Sequence, residues 1–392
     1  MALGSLLYRH MHRHAGTLTL VERGAEMRRG LLLLVLTLLL TSNCADEAGV
    51  PTESPLAPAA KGGKAGRVTK IKIGTLPGDV NSAAQAINEN GEVVGWSNNS
   101  SGVRAFFWAT GGIENLGPGF AQDISNPGDV VGYGPGFNRR ALVWQRQGAS
   151  WNRIALPPYE VPVESGVHID VANGIDDLGT LVVGGSSPDM GKNPDGVPIV
   201  CGIPVVWAPG TGWADATAYV LPTLDLGGPC EGLGSGSAFD VNDSGEIAGL
   251  SHTSDGITRA VVWTGSPGSY VVDPLPPDGV GLSWAFAINS TGVVAGLIED
   301  VAGNRVGVTW TRAGSSWKVD TIGPDDALGL NDAGLVVGES SVSRQVAWYR
   351  PQDGVLTLLG CCRAWDANEA NQIVGEERRG GPKAVLWTIT QP

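Results

Sequence analysis

One short pattern recurs seven times along the chain, and it limits the fold more than any other feature. Each copy reads as an apolar residue, Asn or Asp, two variable residues, Gly, an apolar pair and a second Gly. The Asx and first Gly, or their replacements, are Asn88/Gly91, Ser125/Gly128, Asp176/Gly179, Asn242/Gly245, Asn289/Gly292, Asn331/Gly334 and Asn368/Asn371. Asn88 and Asn368 are 280 residues apart over six steps, so the repeat is roughly 47 residues long.

The pattern has the chemistry of a strand, a tight turn and a second strand. An Asn or Asp side chain opens such a turn by bonding to the backbone two residues later. The fourth residue must adopt a positive φ, which Gly does freely and Asn more readily than most residues. This requirement explains why Asn371 stands where the other copies have Gly.

Each turn unit is followed by a short apolar strand that ends in Trp. The seven residues are Trp108, Trp144, Trp207, Trp263, Trp310, Trp348 and Trp387. We interpret them as structural residues that pack between neighbouring blades, because a large aromatic ring buries much apolar area. A fourth strand follows after a Gly/Ser turn, so each repeat holds four strands.

Four strands in a repeat of this length are typical of a β-propeller blade. The last copy ends after its third strand, whereas an extra strand within Val68–Gly78 precedes the first copy. Pairing the two would close the ring and leave no open edge. The sequence therefore predicts an all-β, seven-bladed β-propeller over residues 68–392, closed by an N-terminal strand that pairs into the last blade, with six or eight blades as the margin of error.

Residues 1–44 carry the pattern of a signal peptide. Two Arg precede a run from Leu31 to Leu40 that is apolar except for Thr37 and is too short to span a bilayer. Cys44 follows, as in the lipobox of bacterial lipoproteins, and we predict that it is lipidated. A signal peptide cleaved elsewhere, with an incidental Cys, is the alternative. The acidic residues before Met27 favour Met27 as the true start, and residues 45–67 predict a flexible Pro/Ala/Gly-rich tether.

The charge of the chain argues against two kinds of partner. The net charge is −13, to which residues 1–43 contribute +3 and the remainder −16. A surface this acidic repels phosphate backbones and anionic lipid. We therefore expect no nucleic acid partner, and contact with a membrane only through the lipid anchor.

The first copy, INENGEVVGWS followed by RAFFW and ENLG, resembles the HAF repeats of a family of bacterial extracellular repeat proteins. His-Ala-Phe is typical of that family where this chain has Arg104-Ala105-Phe106, and no copy here has the His. The resemblance covers residues 68–392 and implies export and a propeller-like fold. It implies no activity, because the family has no established catalytic residues.

Three long insertions surround the third repeat, at residues 156–170, 186–202 and 221–237. In a propeller these connections share one face, so we expect a ligand-binding surface there, with neutral drift of surface loops as the alternative. The polar and aromatic residues of this surface are Tyr159, Glu160, Glu164, His168, Asp189, Lys192, Asn193, Asp195 and Glu231. Trp284 is a further candidate for its rim.

The cysteines predict one disulfide and no metal site. Cys201 and Cys230 fall in the same long loops, and an exported protein favours their pairing. Cys361 and Cys362 are adjacent, and a vicinal disulfide and free thiols both remain open for them. Zinc needs ligand spacings that are absent, and turn chemistry already explains the Asx residues that calcium would use. We expect no cofactor and no metal.

The sequence favours binding over catalysis. Neither His168 nor His252 lies near a nucleophile-elbow pattern, and pairs of acids arise by chance in an acidic chain. We therefore expect an exported cell-envelope repeat protein that acts as a non-catalytic binding or scaffold module for an envelope glycan or protein. The alternative is an envelope hydrolase or lyase that acts on polysaccharide or peptide through the loops of the third repeat.

Overall fold

The computed structural model describes most of the chain from residue 67 onward. The described ranges are 67–136, 139–159, 168–192, 198–200, 202–225, 235–276, 281–322, 325–339, 345–350, 355–378 and 380–390. They contain strands throughout, together with one short 3-10 turn, Trp213–Asp215. Within these ranges, none of the helical residues forms a segment long and apolar enough to cross a membrane. The predicted signal peptide, Cys44 and residues 45–66 of the predicted tether lie outside the described residues, whereas Arg67 is the first residue of a strand.

The strands follow one another with short connections. Those before and within the first two repeats are β1 Arg67–Gly74, β2 Asn81–Ile87, β3 Val93–Asn99, β4 Gly102–Ala109, β5 Gly112–Pro118, β6 Phe120–Ile124, β7 Val130–Tyr133, β8 Ala141–Gln147 and β9 Ser150–Ala155. Those of repeats 3 and 4 are β10 His168–Ile175, β11 Val182–Lys192, β12 Pro198–Val200, β13 Ile203–Ala208, β14 Thr217–Val220, β15 Gly236–Val241, β16 Ile247–His252, β17 Thr258–Thr264 and β18 Val271–Pro274. Those of repeats 5 to 7 are β19 Leu282–Ile288, β20 Val294–Glu299, β21 Arg305–Ala313, β22 Ser316–Thr321, β23 Asp326–Leu330, β24 Val336–Glu339, β25 Gln345–Arg350, β26 Val355–Ala367, β27 Gln372–Glu377 and β28 Lys383–Thr390.

The prediction of seven blades is wrong, because hydrogen bonds join these strands into six sheets. Repeats 1, 2, 4 and 5 each form a sheet of four antiparallel strands, and repeat 3 forms one of five that includes β12. The sixth sheet has seven strands, in the order β1-β28-β27-β26-β25-β24-β23. Its strand β26 pairs with β25 through its first half and with β27 through its second half. Repeats 6 and 7 therefore share one sheet in an all-β propeller.

The reason for the fused sheet can be read from the connections between repeats. The connections that precede repeats 1 to 6 each contain a Pro, and only the connection between repeats 6 and 7 has none. These residues are Pro77, Pro118, Pro157, Pro222, Pro276 and Pro324. Pro cannot donate a ladder hydrogen bond, so a strand ends or bends where it occurs. Val355–Ala367 contains no Pro. The strand therefore continues from one repeat into the next.

The predicted closure by the leading strand is confirmed. Strand β1 pairs antiparallel with β28, from Arg67 opposite Thr390 to Gly74 opposite Ala384. The two ends of the chain are thus stapled into one sheet, and the edge of β28 is covered.

The recurring Trp residues belong largely to the core between sheets. Trp144, Trp207, Trp263 and Trp310 are fully buried, and Trp387 is nearly so. Trp108 is partly exposed, and the side chain of Trp348 lies outside the described part of the chain. The indole N–H of Trp144 donates to Leu116 O at 2.9 Å, and the other three fully buried indoles donate to carbonyls of the Pro-containing connections before their own repeats. Each ring therefore fixes the path of the chain between two repeats.

A candidate ligand site in the central channel

The turns between the first and second strands of the repeats lie together on one face, which we call the turn face. In each turn the N–H of the fourth residue bonds to the Asx carbonyl, as in Gly91 N to Asn88 O at 3.0 Å. Asn371 is the one non-Gly residue in the described ranges with a positive φ, at 56°. The chemistry predicted for the turns is therefore observed.

Five Asn side chains of these turns form a belt that we call the amide ring. Each Nδ2 donates to the carbonyl at the equivalent position of the next repeat, at 2.9–3.2 Å. Its members are Asn88, Asn242, Asn289, Asn331 and Asn368. The bond from Asn368 to Asn88 O joins the last repeat to the first at 3.0 Å. These bonds run around a central channel from repeat 4 to repeat 2, as expected for repeats arranged around an axis.

The residue after each Asx lies at the mouth of this channel on the turn face. These mouth residues are Glu89, Asn126, Asp177, Asp243, Ser290, Asp332 and Glu369. Several of their side chains accept a hydrogen bond from the backbone of the preceding repeat, as when Ser290 N donates to Asp332 Oδ1 at 2.8 Å. Glu369 N donates to Glu89 in the same way. The carboxylates are thereby held in fixed positions around the mouth.

The mouth carboxyls act on one another across the ring. Desolvation is the main cause that raises the pKa of Asp177 to about 6, and Asp243, Glu89 and Asp332 add to the rise. The pKa of Glu89 is also raised, first by desolvation, and the charges of Glu369 and Asp332 contribute. Carboxyls from separate sheets affect each other in this way only because they converge.

Three further carboxyls lie deeper, two residues before the Asx of their repeats. Asp123, Asp240 and Asp366, the channel carboxyls, each accept from the next N–H in their own strand and from one N–H of the following repeat, at 2.8–2.9 Å. Together they serve six of the seven equivalent N–H groups. Leu330, at that position in repeat 6, is bonded by none of these three.

The repeats without such an Asp have a small residue in its place. A Cβ on Gly174 would lie 2.8 Å from Phe239 O, and one on Gly329 would lie 2.5 Å from Trp365 O. The innermost strands therefore approach too closely for a larger side chain at these two positions. One Asp is shared between two repeats, and its neighbour must be small.

The channel carboxyls are both deep and reachable by solvent. Desolvation raises the pKa of Asp240 and of Asp366 to about 7, and it raises the pKa of Asp123 well above its usual range. The residues are nevertheless partly exposed. The charged groups that raise these pKa values further are other carboxyls, including that of Asp177. Protein surrounds the three groups, and the channel leaves one side of each open.

A β-bulge occurs at the same place in the first strand of every repeat. The pairing with the second strand skips the third residue before the Asx. The skipped bulge residues are Gln85, Gln122, Asn173, Phe239, Phe286, Leu328 and Trp365. Bulges redirect a side chain and are common beside functional sites.

The neighbours of Gln85 show where a bulge residue points. Ala84 packs with Val374 of the preceding repeat, whereas Ala86 packs with Ala121 of the following one. Gln85 lies between these two faces. It is on the innermost strand, β2, which pairs with β3 along one edge and has no partner strand along the other. That edge faces the axis of the propeller. We therefore assign the seven bulge residues to the wall of the central channel.

The bulge residues divide the channel wall into two arcs. Repeats 1 to 3 supply the amides Gln85, Gln122 and Asn173, and repeats 4 to 7 supply three aromatic rings and Leu328. The rings of Phe239 and Phe286 are 5.6 Å apart. One wall can therefore form hydrogen bonds while the opposite wall offers apolar faces.

Three polar groups of the wall are left without protein partners. Gln85 and Gln122 are 8% and 7% exposed, and their side chains make no hydrogen bond to the residues that the structure describes. The buried indole N–H of Trp365 also has no acceptor among the described residues. The amides of Gln85 and Gln122 reach the solvent of the channel, since only the Trp365 N–H of the three is a fully buried unpartnered atom. Native proteins rarely leave such a buried group unsatisfied.

The structure describes part of the surface predicted around the third repeat. Tyr159 is partly buried and packs against a core cluster that includes Leu156 and Trp207. His168 and Asp189 are brought close in the backbone, since His168 pairs with Pro188, and Lys192 pairs with Pro198. The remaining predicted residues lie outside the described residues: Glu160, Glu164, Asn193, Asp195 and Glu231, and Cys201 and Cys230 of the predicted disulfide.

The described ends of the three long loops are joined to each other. Asp170, at the end of the first loop, accepts a hydrogen bond from Ser186 Oγ at 2.7 Å, and the Nε of Arg140 is 3.3 Å away. Gly236 N donates to Gly202 O at 2.7 Å, which links the second loop to the third. The loops therefore start from one place on the face opposite the turn face. Trp284 is 8% exposed and belongs to the buried residues.

The channel is not predicted from the sequence, because its residues share a position in the repeat and not a residue type. The channel carboxyls had a signal, namely Ala, Asp, Gly, Asp, Ala, Gly and Asp two residues before the successive Asx positions. The bulge residues vary from Gln to Trp, so only the strand register identifies them. Among the described residues, no group of three or more His, Cys, Asp and Glu is arranged to hold a metal ion.

The comparisons with known proteins concern the fold alone. The β-propeller domain of Cps50 (Swd1) from Myceliophteria thermophila is 10% identical, with 82% of this chain and 100% of that chain covered and a TM-score of 0.48. TolB from Acinetobacter baumannii is 9% identical, with 76% and 64% covered and a TM-score of 0.42, so the chain spans 64% of that protein. The lectin of Aleuria aurantia is 12% identical, with 72% and 96% covered and a TM-score of 0.37. No family model and no curated protein matches the chain, and it is similar to solved structures as a β-propeller.

Proposed function

We propose that the chain is a non-catalytic binding or scaffold module of the bacterial cell envelope, and that its central channel receives the ligand. The observation that carries this proposal is the pair of buried, unpartnered amides of Gln85 and Gln122. Neither residue has a fully buried unpartnered atom, so the polar atoms of both amides reach the solvent of the channel. A ligand that bonds to both amides replaces that water and gains about 0.5–1.5 kcal/mol for each hydrogen bond.

The proposal includes the surface of the third repeat as a second contact for the same partner, an envelope glycan or protein. Its loops start from the joined positions Asp170, Ser186, Gly202 and Gly236. A rigid base that carries long loops is a common arrangement for recognition.

Export and anchoring complete the proposal. The resemblance to HAF repeats, the apolar run from Leu31 to Leu40 and the position of Cys44 support it. Mass spectrometry of the protein from a bacterial membrane fraction tests it, and we expect an N-terminal peptide that begins with diacylated Cys44. An unmodified terminus at Ala45 would refute the anchor.

A ligand screen tests the binding function. Thermal-shift measurements of the full-length chain against envelope saccharides and peptides should find a stabilising ligand, whose affinity is then measured by calorimetry. We expect the double variant Gln85→Leu/Gln122→Leu to bind that ligand at least about tenfold more weakly. Gln147→Leu is the matched control, because Gln147 is exposed at the end of β8, and it should bind normally. Equal affinity of all three proteins would place the site outside the channel.

The enzymatic alternative is favoured by one observation, the pKa values of about 7 for Asp240 and Asp366. A carboxyl with such a pKa suits general acid catalysis near neutral pH. Both oxygens of each group are, however, bonded to backbone N–H groups of two repeats, which is a structural use. Hydrolase or lyase turnover that is abolished by Asp240→Asn in a folded protein would replace the binding proposal.

A further inference from the structure

We propose that the central channel recognises an amino sugar with a free ammonium group, as in a deacetylated glycan. This inference rests on the proposed function and names the ligand class of the same site. It combines three features of the wall: a ring of carboxylates at the mouth, an aromatic arc, and unpartnered amide and indole groups.

The mouth selects for positive charge. Five of its seven equivalent positions are acidic, namely Glu89, Asp177, Asp243, Asp332 and Glu369. Backbone N–H groups of neighbouring repeats already fix several of these side chains, so little ordering is needed when a ligand arrives. A ring of like charges around a narrow opening focuses the potential and attracts cations.

The channel carboxyls extend this preference inward. The charged groups that act on Asp123, Asp240 and Asp366 are each other and Asp177. All of them are carboxyls, and their mutual repulsion is relieved when a cation enters. An anionic ligand would meet the opposite effect at every level.

The aromatic arc favours a ligand with an apolar face. Phe239 and Phe286 lie 5.6 Å apart, and Trp365 belongs to the same arc. The C–H face of a sugar ring packs on such side chains, and an ammonium group gains from the ring quadrupole. Arg363 already lies 4.8 Å over the Trp365 ring, so the rings of Phe239 and Phe286 are the ones that would receive the ligand.

The unpartnered groups require a ligand with both donors and acceptors. The amides of Gln85 and Gln122 each offer two N–H groups and one oxygen, and the buried indole N–H of Trp365 needs an acceptor. A charged alkylamine has hydrogen-bond donors but no acceptor. Sugar hydroxyls supply donors and acceptors together, so an amino sugar meets every requirement of the wall.

A matched set of probes tests the inference. The full-length chain is titrated with glucosamine, N-acetylglucosamine, glucose and 1,4-diaminobutane by NMR or calorimetry, at a pH where the amines are protonated. We expect glucosamine to bind at least about tenfold more tightly than the other three, since it alone has both the charge and the hydroxyls. Equal affinity for glucose would overturn the requirement for charge, and equal affinity for 1,4-diaminobutane would overturn the requirement for hydroxyls.

Variants locate the binding. Asp332→Asn keeps the acceptor for Ser290 N and removes a mouth charge, and Trp365→Phe keeps an aromatic ring and removes the indole N–H. Each should weaken glucosamine binding by about threefold to tenfold. Asp320→Asn, at an exposed carboxyl paired with Lys318, is the charge control and should have no effect. Because a variant can fail to fold, its thermal unfolding is compared with that of the parent chain.

The outcomes separate this inference from the proposed function. Glucosamine binding that is unchanged in all the channel variants would overturn the inference. A different ligand from the screen that binds through Gln85 and Gln122 would also overturn the amino sugar, while the binding function would stand. The proposed function itself fails if a channel carboxyl supports turnover, or if no ligand of the screen depends on Gln85 and Gln122.

Discussion

The turn face is built in two ways around the ring. From repeat 4 through repeat 7 to repeat 1, each Asn Nδ2 bonds to the carbonyl of the next repeat. In repeats 2 and 3 the equivalent residues are Ser125 and Asp176, whose side chains bond within their own turns. There the repeats are linked by Asn126 N to Asp177 O at 3.0 Å, and by Leu178 N to Asp243 Oδ1 at 3.1 Å.

This difference shows where the ring needs its strongest links. We call repeats 4 to 7 and 1 the continuous arc of the turn face, and repeats 2 and 3 the interrupted arc. The continuous arc contains the junction at which the first and last repeats meet, and a mistake there would open the propeller. The interrupted arc includes the third repeat, which has the long loops and one sheet with an additional strand. The chain thus keeps uniform side-chain bonds at the closure and varies them under the surface predicted to bind.

The largest effect is expected from removing the closing strand. Deletion of residues 67–74 exposes the edge of β28 and removes every bond of the β1–β28 pair. We expect loss of cooperative unfolding in calorimetry, together with oligomers in size-exclusion chromatography, because exposed edges pair with other chains. A truncated protein that stays monomeric with the parent melting temperature would show that the continuous arc closes the ring unaided.

The Trp residues should be equally important in both arcs. Trp263→Ala in repeat 4 and Trp144→Ala in repeat 2 each remove a fully buried ring and its bond to a backbone carbonyl. We expect each to lower the free energy of unfolding by about 3–5 kcal/mol in urea denaturation. A much smaller loss for Trp144→Ala would extend the difference between the arcs from the turns into the core.

The channel carboxyls predict a stability that falls as pH rises. In the unfolded chain the pKa of an Asp is about 3.9, whereas burial raises the pKa of Asp240 and of Asp366 to about 7 in the folded protein. Between these two pKa values the folded state binds more protons than the unfolded state. The free energy of unfolding is therefore highest below the unfolded pKa and falls by about a few kcal/mol as the pH rises through about 7. Thermal unfolding at pH values between about 5 and 8, which cover the upper part of this pH range, measures the loss of stability.

Two alanine variants sharpen the pH result. Asp240→Ala and Asp123→Ala should both flatten the pH dependence. Each residue is a carboxyl shared between two repeats, Asp240 in the continuous arc and Asp123 in the interrupted arc. Ala is accepted at this position in repeats 1 and 5. Asp320→Ala, at an exposed residue, should leave the slope unchanged. A slope that persists in both channel variants would assign it to other acids.

The amide ring itself should have an intermediate effect. Asn331→Ala removes the bond to Asn368 O at 2.9 Å and leaves Leu335 N without the Asn331 Oδ1 acceptor at 2.8 Å. We expect a loss of about 2 kcal/mol or more in denaturant unfolding. Ser125→Ala in the interrupted arc removes only weak local bonds, at 3.1 and 3.4 Å, and should cost less than about 1 kcal/mol. Equal losses would mean that the two arcs are energetically alike.

The smallest effect should come from repairing the interruption. Ser125→Asn introduces an amide that can donate to the carbonyl of Asp176, as Asn88 does to Ser125 O. We expect a gain of up to about 1 kcal/mol in the free energy of unfolding. A destabilised variant would indicate crowding, since a Cβ placed on Gly179 would lie 3.3 Å from Ser125 Oγ.

The sequence is sufficient for what depends on local chemistry. The turns, the positive φ of Asn371 and the pairing of β1 with β28 follow from residue types at fixed spacing. The number of sheets does not, because β26 is a strand that continues where a boundary between repeats is expected, and only the missing Pro marks it.

The channel is harder to predict than the fold. A bulge depends on which residues face each other in two strands, and Gln85 and Trp365 have no residue type in common that would reveal their shared position. The loop residues predicted instead were chosen by insertion length. That criterion finds variable surface but is insensitive to a channel whose walls keep a constant length.

The shared channel carboxyls also limit how such a chain can grow or shrink by gene duplication. Each Asp couples one repeat to its successor, in the pairs 2–3, 4–5 and 7–1, and repeat 6 is left over. That odd unit is the one fused to its neighbour through β26. Copying a single unit would place two carboxyls side by side or leave two N–H groups bare, so insertions of two units preserve the arrangement. The alternation of Asp and small residues is thus a parity rule, and it makes the coupled pair, and not the single repeat, the natural module for evolution and for design.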